Sequence, residues 1–370
     1  MEKHLVLVGG GHAHMVTLAN LHKFIERGHQ VSVIGPSPHH YYSGMGPGML
    51  GKTYRPEEIR FATQRAVEKQ GGRFILGTVT RVDAAEKTIY LESGQTVAYD
   101  VLSFNTGSYV PKVTVTDGGK DIFTVKPIEK LLAAQQRVLE LAAQRRIAIG
   151  VIGGGPAAVE ITGNIWRLTK DHGKYMPGIK IFSGEDLMLR FPEKIRKKAR
   201  RSLAKRAVEI LEGDFVKEIK SGRITLESGQ SYDVDLIFLA TGVRPSPVFQ
   251  ESGLPAGPDG GLLVNRFLQS IQYPDIFGGG DCIYFQDQPL DKVGVYAVRQ
   301  NPILYNNLMA SLEEKELQPF NPGGDYLLIF NMGDDTGILH KKWLTLGGRP
   351  AFIIKDYIDR KFMKKFQSIE

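Results

Sequence analysis

The chain has 370 residues, 42% hydrophobic and 24% charged, which suffices for two or three domains with a substantial core. Its single cysteine, Cys282, excludes an intramolecular disulfide and a Cys-rich metal centre and is compatible with a reducing compartment, while the absence of eighteen consecutive apolar residues or an N-terminal cleavage signal argues against membrane spanning and secretion. The formal net charge is +7, with basic clusters at residues 194–206 and from Lys355 onward; no aromatic platform interleaves the first, so it reads as a solvated helix face and no nucleic-acid partner is expected.

Residues 5–8, LVLV, form a continuous branched apolar run of the kind buried on both faces in a parallel sheet. Gly9 and Gly11 follow as G-x-G and lead into the helical stretch MVTLANLHKFIERG. The first glycine allows the tight turn, the second lets backbone approach a pyrophosphate, and the helix N-terminus attracts that anion. Ala13 and His14 complete this candidate binding turn, with His14 in place of a third glycine. The strand QVSVIG ends in Gly35, where an acid usually holds a ribose, so ribose contacts are expected from backbone around Gly35 and Pro36 or from the PSPHH segment. His12, His14, His39 and His40 have no supporting carboxylate pattern and read as structural or cofactor-contacting, with no metal expected.

LESGQ occurs at residues 91–95 and again at 226–230. Fifteen residues after each Leu comes a Thr-Gly pair, Thr106-Gly107 and Thr241-Gly242, so both features are offset by 135 residues. Ser-Gly alone is ordinary turn chemistry, but three features in one order at nearly one spacing identify an internal repeat of strand, glycine turn, helix, hairpin and Thr-Gly. Its second glycine turn, IAIGVIGGGPAAVE, offers Gly153, Gly155, Pro156, Ala157 and Ala158, the last an accepted substitute for the third glycine. Glu160 follows, either stabilising the helix start or lying near the reactive end of a bound nicotinamide. The next strand places Ser183, not an acid, at the ribose position, which leaves NADH only narrowly ahead of NADPH. A last apolar strand runs into Gly280-Asp281.

Together with the loop YYSGMGPGMLGK, these segments resemble the pyridine nucleotide-disulfide oxidoreductase superfamily of two-dinucleotide flavoproteins over residues 5–312. The resemblance implies an α/β fold of two Rossmann-like dinucleotide-binding domains with a C-terminal α+β segment. It assigns the Gly9 turn to FAD, Asp281 to the ribityl and phosphate region, Pro47 to flavin contact, Val79 to the strand that meets the adenine, and the Gly153 turn to NAD(P)H. Cys282 has no partner at any spacing, so no redox disulfide is available. The chain accordingly resembles the type II NADH:quinone oxidoreductases and, through GVYAVRQNP and IKDYIDRKFMKKF among other segments, the reductase-like domain fused to selenophosphate synthetase. Gln300 matches the last Gln of the quinone reductases' A-Q-x-A-x-Q signature and Tyr296 replaces the first, making them candidates on the acceptor side.

The expected organisation is a discontinuous FAD domain at residues 1–115 and 245–320, an NAD(P)H domain at 116–244, and a C-terminal segment at 321–370. That segment reads as a strand pair followed, from near Pro350, by a basic amphipathic helix with Ile354, Ile358, Phe362 and Phe366 as its apolar stripe and Lys355, Arg360, Lys361, Lys364 and Lys365 on other faces. The stripe would pack on the protein, on a second subunit in a homodimer, or on an anionic membrane surface. The resulting expectation is a cytoplasmic or peripherally attached FAD-dependent enzyme that passes hydride from NAD(P)H to flavin and electrons on to a quinone. The alternatives are a reductase of a soluble iron–sulfur protein and a non-catalytic redox sensor.

Overall fold

The apolar runs before the two glycine turns become the middle strands of two five-stranded parallel sheets. The structure, a computed structural model, describes residues 1–111, 119 and 121–370. In the first sheet the order is Ile276–Gly278, Val101–Phe104, His4–Val8, Gln30–Gly35 and Arg73–Leu76. The second runs Ile122–Thr124, Leu236–Leu239, Ala148–Ile152, Gly178–Ser183 and Glu209–Glu212. Leu5, Val6, Leu7, Ile149 and Val151 are fully enclosed, as strands covered on both faces require. The fold is therefore α/β, with two Rossmann-like units.

Each unit also carries a three-stranded antiparallel meander, Val79–Asp83 with Thr88–Leu91 and Thr96–Ala98 in one, Val216–Lys220 with Arg223–Leu226 and Ser231–Asp233 in the other. LESGQ is the second turn of both. Leu91 N–H donates to the Gln95 carbonyl at 2.9 Å and Leu226 N–H to that of Gln230 at 2.8 Å. The chain segments that follow the two Thr-Gly pairs then join each other, Ser108–Tyr109 pairing antiparallel with Arg244–Pro245. The expected boundary at residues 115 and 116 lies outside the described residues.

The C-terminal segment differs from expectation. Three antiparallel strands, Leu328–Asn331, Gly337–Lys341 and Leu344–Gly348, replace the predicted pair, because the chain turns at Lys342, whose φ is 54°. The helix Arg349–Gln367 begins where the Pro350 signal places it. Its buried face is Ala351, Phe352, Lys355, Asp359, Met363 and Phe366, whereas Ile354 and Ile358 are 38% and 43% exposed. The segment is clamped to the helix Pro156–His172. A Cβ on Gly163 would lie 2.1 Å from the Met332 carbonyl oxygen, so only glycine allows this backbone approach, and Arg167 pairs with Asp335 and Lys170 with Asp334, both at 2.7 Å.

Candidate active site at two glycine turns

Gly9 takes a φ of 90°, and a side chain there would strike the Asn105 carbonyl oxygen. Gly153 takes 132° against the Ala240 carbonyl in the same way. Each turn is thus pressed on the strand end that leads into its Thr-Gly pair, with Thr106, Thr241 and Gly242 exposed and Gly107 half-buried. Beyond that point the turns diverge. The space beside Gly11 is filled by the Asn105 side chain, whereas beside Gly155 it is open, since Ala240 has nothing to reach it. Gly155 caps a seventeen-residue helix whose first turn is Pro156, Ala157 and the fully buried Ala158, so its unsatisfied N–H groups remain available to an anion.

Asn105, which sequence reasoning passed over, knits the first site. Its Oδ1 accepts from the Ala13 N–H at 3.0 Å and its Nδ2 donates to the Gly279 carbonyl at 2.6 Å, bringing the first turn against Gly280 and Asp281. Asp281 accepts from the Ser108 hydroxyl at 2.8 Å and from Lys126 at 3.1 Å. Burial pushes its carboxyl up, but the Lys126 ammonium and Ser108 hydroxyl outweigh that and hold it below the usual range. Lys126 was likewise missed. It follows the strand Ile122–Thr124 of the other unit and so crosses between them.

Three predicted side chains are engaged elsewhere. His14 is fully buried, with Nδ1 donating to the Gly9 carbonyl at 2.7 Å and Nε2 left to accept from the Ser103 hydroxyl at 2.8 Å, so it braces the turn and offers no side-chain atom to a ligand. Ser183 is 1% exposed and donates to the Glu185 carbonyl, while Met188 N–H bonds the Gly154 carbonyl at 2.7 Å; this wraps residues 183–188 beneath the turn with Glu185 exposed, whereas Glu212, opposite Ser183 on the next strand, is held by Arg200 and the Leu187 N–H. Gln300 is 1% exposed and its Oε1 accepts from the Gly280 N–H at 2.7 Å, which makes it a brace of the Asp281 loop. Tyr296 shares a small cleft with Gln300, Gly280 and Asp281 and sets its ring 5.3 Å from that of Tyr326.

Gly35 ends its strand and accepts from the Gly77 N–H at 2.9 Å, so Gly35, exposed Pro36 and the strand starting at Val79 lie on one side of the first turn. Pro47 opens the short helix Gly46–Leu50, which packs against the helices Lys130–Ala142 and Pro156–His172. Glu160, on the latter, accepts from the Asn331 N–H at 2.7 Å. Burial raises its carboxyl to about 7, opposed by the Lys355 ammonium and the Asn331 N–H and reinforced by the Asp359 carboxylate. Lys355 in turn donates to Asp359 at 2.7 Å and to the Gly44 carbonyl at 2.9 Å, and Tyr42 donates to Asp359 at 3.0 Å. Glu160, on the helix that follows the second turn, therefore directs its carboxyl at the C-terminal segment.

Cys282 is fully buried with its thiol directed at the Gly279 and Phe104 carbonyls, and burial raises its pKa, so it is no nucleophile. Among the described residues no cluster of His, Cys, Asp and Glu forms a metal site.

A family model described as pyridine nucleotide-disulphide oxidoreductase matches residues 3–303. The chain belongs to that family. This oxidoreductase is 30% identical over 237 residues to the nitrite reductase (NADH) large subunit of Escherichia coli, a match that covers 61% of the chain but only 26% of that subunit. It is 24% identical to the type II NADH:quinone oxidoreductase of Staphylococcus epidermidis across 100% of the chain and 97% of the relative. Among solved structures, NDH2 of Plasmodium falciparum in complex with NADH superposes with a TM-score of 0.82 at 14% identity, covering 99% of this chain and 98% of that one. The sulfide:quinone oxidoreductase of Aquifex aeolicus gives 0.80 at 18% identity, covering 100% and 92%. The flavin dinucleotide expected of this family fits the first turn. The N–H groups of Gly10 and Gly11 make no hydrogen bond among the described residues, and the Nε2 atoms of His12 and His40 are buried without a partner.

Proposed function

We propose that the protein is an NADH-dependent flavin oxidoreductase that delivers electrons to a quinone without a redox disulfide. The observation that carries this is the joining of two glycine turns of one construction, in a chain whose lone cysteine is buried and unpaired. On this reading residues 1–115 and 245–320 hold FAD and 116–244 hold NADH. Gly9, Gly11 and Ala13 offer the turn to the flavin pyrophosphate and Asp281 its carboxylate to the ribityl region. Gly35, Pro36 and Val79 meet the adenosine end and Pro47 the ring. Gly153, Gly155, Pro156, Ala157 and Ala158 take the NADH pyrophosphate.

Bound flavin and nicotinamide supply the two-electron chemistry; the chain's part is orientation and electrostatics. Glu160, with a carboxyl held near neutrality, is the residue proposed to govern the nicotinamide side. Glu185 makes no ion pair among the described residues and would accept from ribose hydroxyls while repelling a 2′-phosphate, which favours NADH.

The acceptor assignment draws support from the exposed apolar edge of the C-terminal segment, Trp343 at 85% exposure, Ile353 at 62% and Tyr357 at 65%, beside exposed Lys341, Lys342, Arg349 and Lys361. Such a face suits peripheral contact with anionic lipid, where quinones reside. Among the described residues no helix is long and apolar enough to cross a membrane. Anaerobic addition of NADH to the flavin-loaded protein tests the core of the proposal. Rapid bleaching of the visible flavin band, reversed by a soluble quinone, is expected; a bound flavin that NADH leaves unchanged overturns it.

A further inference from the structure

Two imidazoles beside the first turn have no place in the role just described. His12 directly follows Gly11, is 9% exposed, and has no partner for Nε2. His40, on the two-residue strand His40–Tyr41, also has a buried Nε2 without a partner. Their rings meet edge to face at 5.6 Å, and Phe362 of the C-terminal helix stacks on His12 at 5.2 Å and 15°, with Tyr42 closing a further side at 4.9 Å. A buried polar atom without a partner costs about 1–3 kcal/mol, and here two stand on neighbouring rings, His12 under Phe362 and His40 against Phe61, each left to be satisfied by a ligand.

The sign of that space is set by its neighbours. Burial keeps both rings neutral, His12 at about 3 and His40 at about 4, with Lys126 pressing on each in the same direction. The Asp281 carboxylate acts on His12 but is itself paired with Lys126, and the Tyr42 hydroxyl is turned to Asp359. Phe61 and Phe362, the other rings in contact, carry no charge. With the proton of each neutral imidazole on Nε2, the uncompensated groups are two N–H donors and no acceptor carboxylate, an arrangement that favours growth of negative charge in a ligand.

We propose that His12 and His40 present their Nε2–H groups as a paired donor site to the flavin and thereby raise its reduction potential. This rests on the flavin reading above. A grip on the pyrophosphate alone would strengthen both redox states of the cofactor equally, whereas donors facing the part that gains electron density favour the reduced state. The midpoint potential separates the two, and a structural role for the rings would not move it.

The test is the potential of the FAD-loaded protein, by equilibration with a reference dye, for wild type, His12→Phe, His40→Phe and the double variant. Phe retains the ring that Phe362 stacks on. Each single change is expected to lower the two-electron reduction equilibrium about tenfold, about 30 mV, and the double change to lower it further. His12→Gln and His40→Gln, which keep an amide N–H, should hold most of the wild-type potential. His12→Met and His40→Met serve in place of any Phe variant that does not retain flavin. Flavin-loaded variants lacking the donors yet keeping the wild-type potential overturn the proposal, even if their FAD affinity falls, and so do Gln variants that lose as much as Phe. If the wild-type protein takes up no flavin, this inference falls with the functional reading. If the wild type is bleached by NADH and the variants keep its potential, this inference falls alone.

Discussion

Glu160 shows what a single side chain contributes at this junction. A glutamate in the unfolded chain loses its proton near its ordinary 4.5, while in the folded protein Glu160 keeps it to about 7. Between those values the folded state binds the extra proton, so raising the pH through this window removes stability, about 3 kcal/mol at about 1.4 per unit. Glu160→Gln should therefore flatten that part of a plot of Tm against pH. The same variant should slow flavin reduction by NADH at least tenfold with FAD content unchanged; wild-type reduction kinetics would remove Glu160 from the chemistry. Residues of this kind are legible when their cue is local. Gly9 and Gly153 announce themselves by strand, turn and helix within a few positions, and Gly280-Asp281 by a strand ending. Asn105 does not, because its partners Ala13 and Gly279 lie 92 and 174 positions away. The one cue to it was the comparison of copies, Asn before the first Thr-Gly and Ala240 before the second.

The C-terminal helix was legible as a helix and misread as to face, for a geometric reason. Four-residue steps overshoot a 3.6-residue turn by about 40°, so a stripe followed from Ile354 to Phe366 rotates by about 120°. Ile354 and Ile358 accordingly point outward and Phe366 inward, and the inward face takes up Lys355 with Asp359. Removing one member of a buried ion pair costs about 3–5 kcal/mol. Asp359→Ala should therefore lower Tm strongly, whereas Lys361→Ala, on the exposed side of the same helix, should cost no more than about 1 kcal/mol. The outward face makes its own prediction. Trp343→Ser combined with Tyr357→Ser should abolish cosedimentation with anionic liposomes that the wild type shows at low salt, and high salt should weaken the wild-type interaction. Equal pelleting of variant and wild type would assign the patch to something other than lipid.

At the scale of the whole molecule, the repeat read from LESGQ and Thr-Gly corresponds to two sheets that share the order of four strands, while the edge strand beside the Thr-Gly strand comes last in the first unit and first in the second, so most of the architecture was legible in the sequence. What separates the two units in use is small chemistry at equivalent places, an Asn against an Ala beside the turns, and Gly35 against the Ser183 to Glu185 segment at the ribose ends. Glu185→Gln should narrow the proposed preference for NADH, read as the ratio of anaerobic bleaching rates with NADH and NADPH; an unchanged ratio would place cofactor choice elsewhere.

The ion pair between Lys126 and Asp281 has a bearing on how such a protein can be taken apart. Two halves built on one repeated plan invite treatment as interchangeable modules, each excised or grafted by itself. Here the cation that neutralises the buried carboxylate of one half is carried on the chain of the other. Transplanted alone, the half that carries Asp281 would lose the ammonium its carboxylate pairs with and keep only the weaker field of Lys292, and the other half would bring a lysine without that carboxylate. Recombination between proteins preserves this neutralisation where both ends of the pair are kept, which makes the two repeats a single unit of exchange.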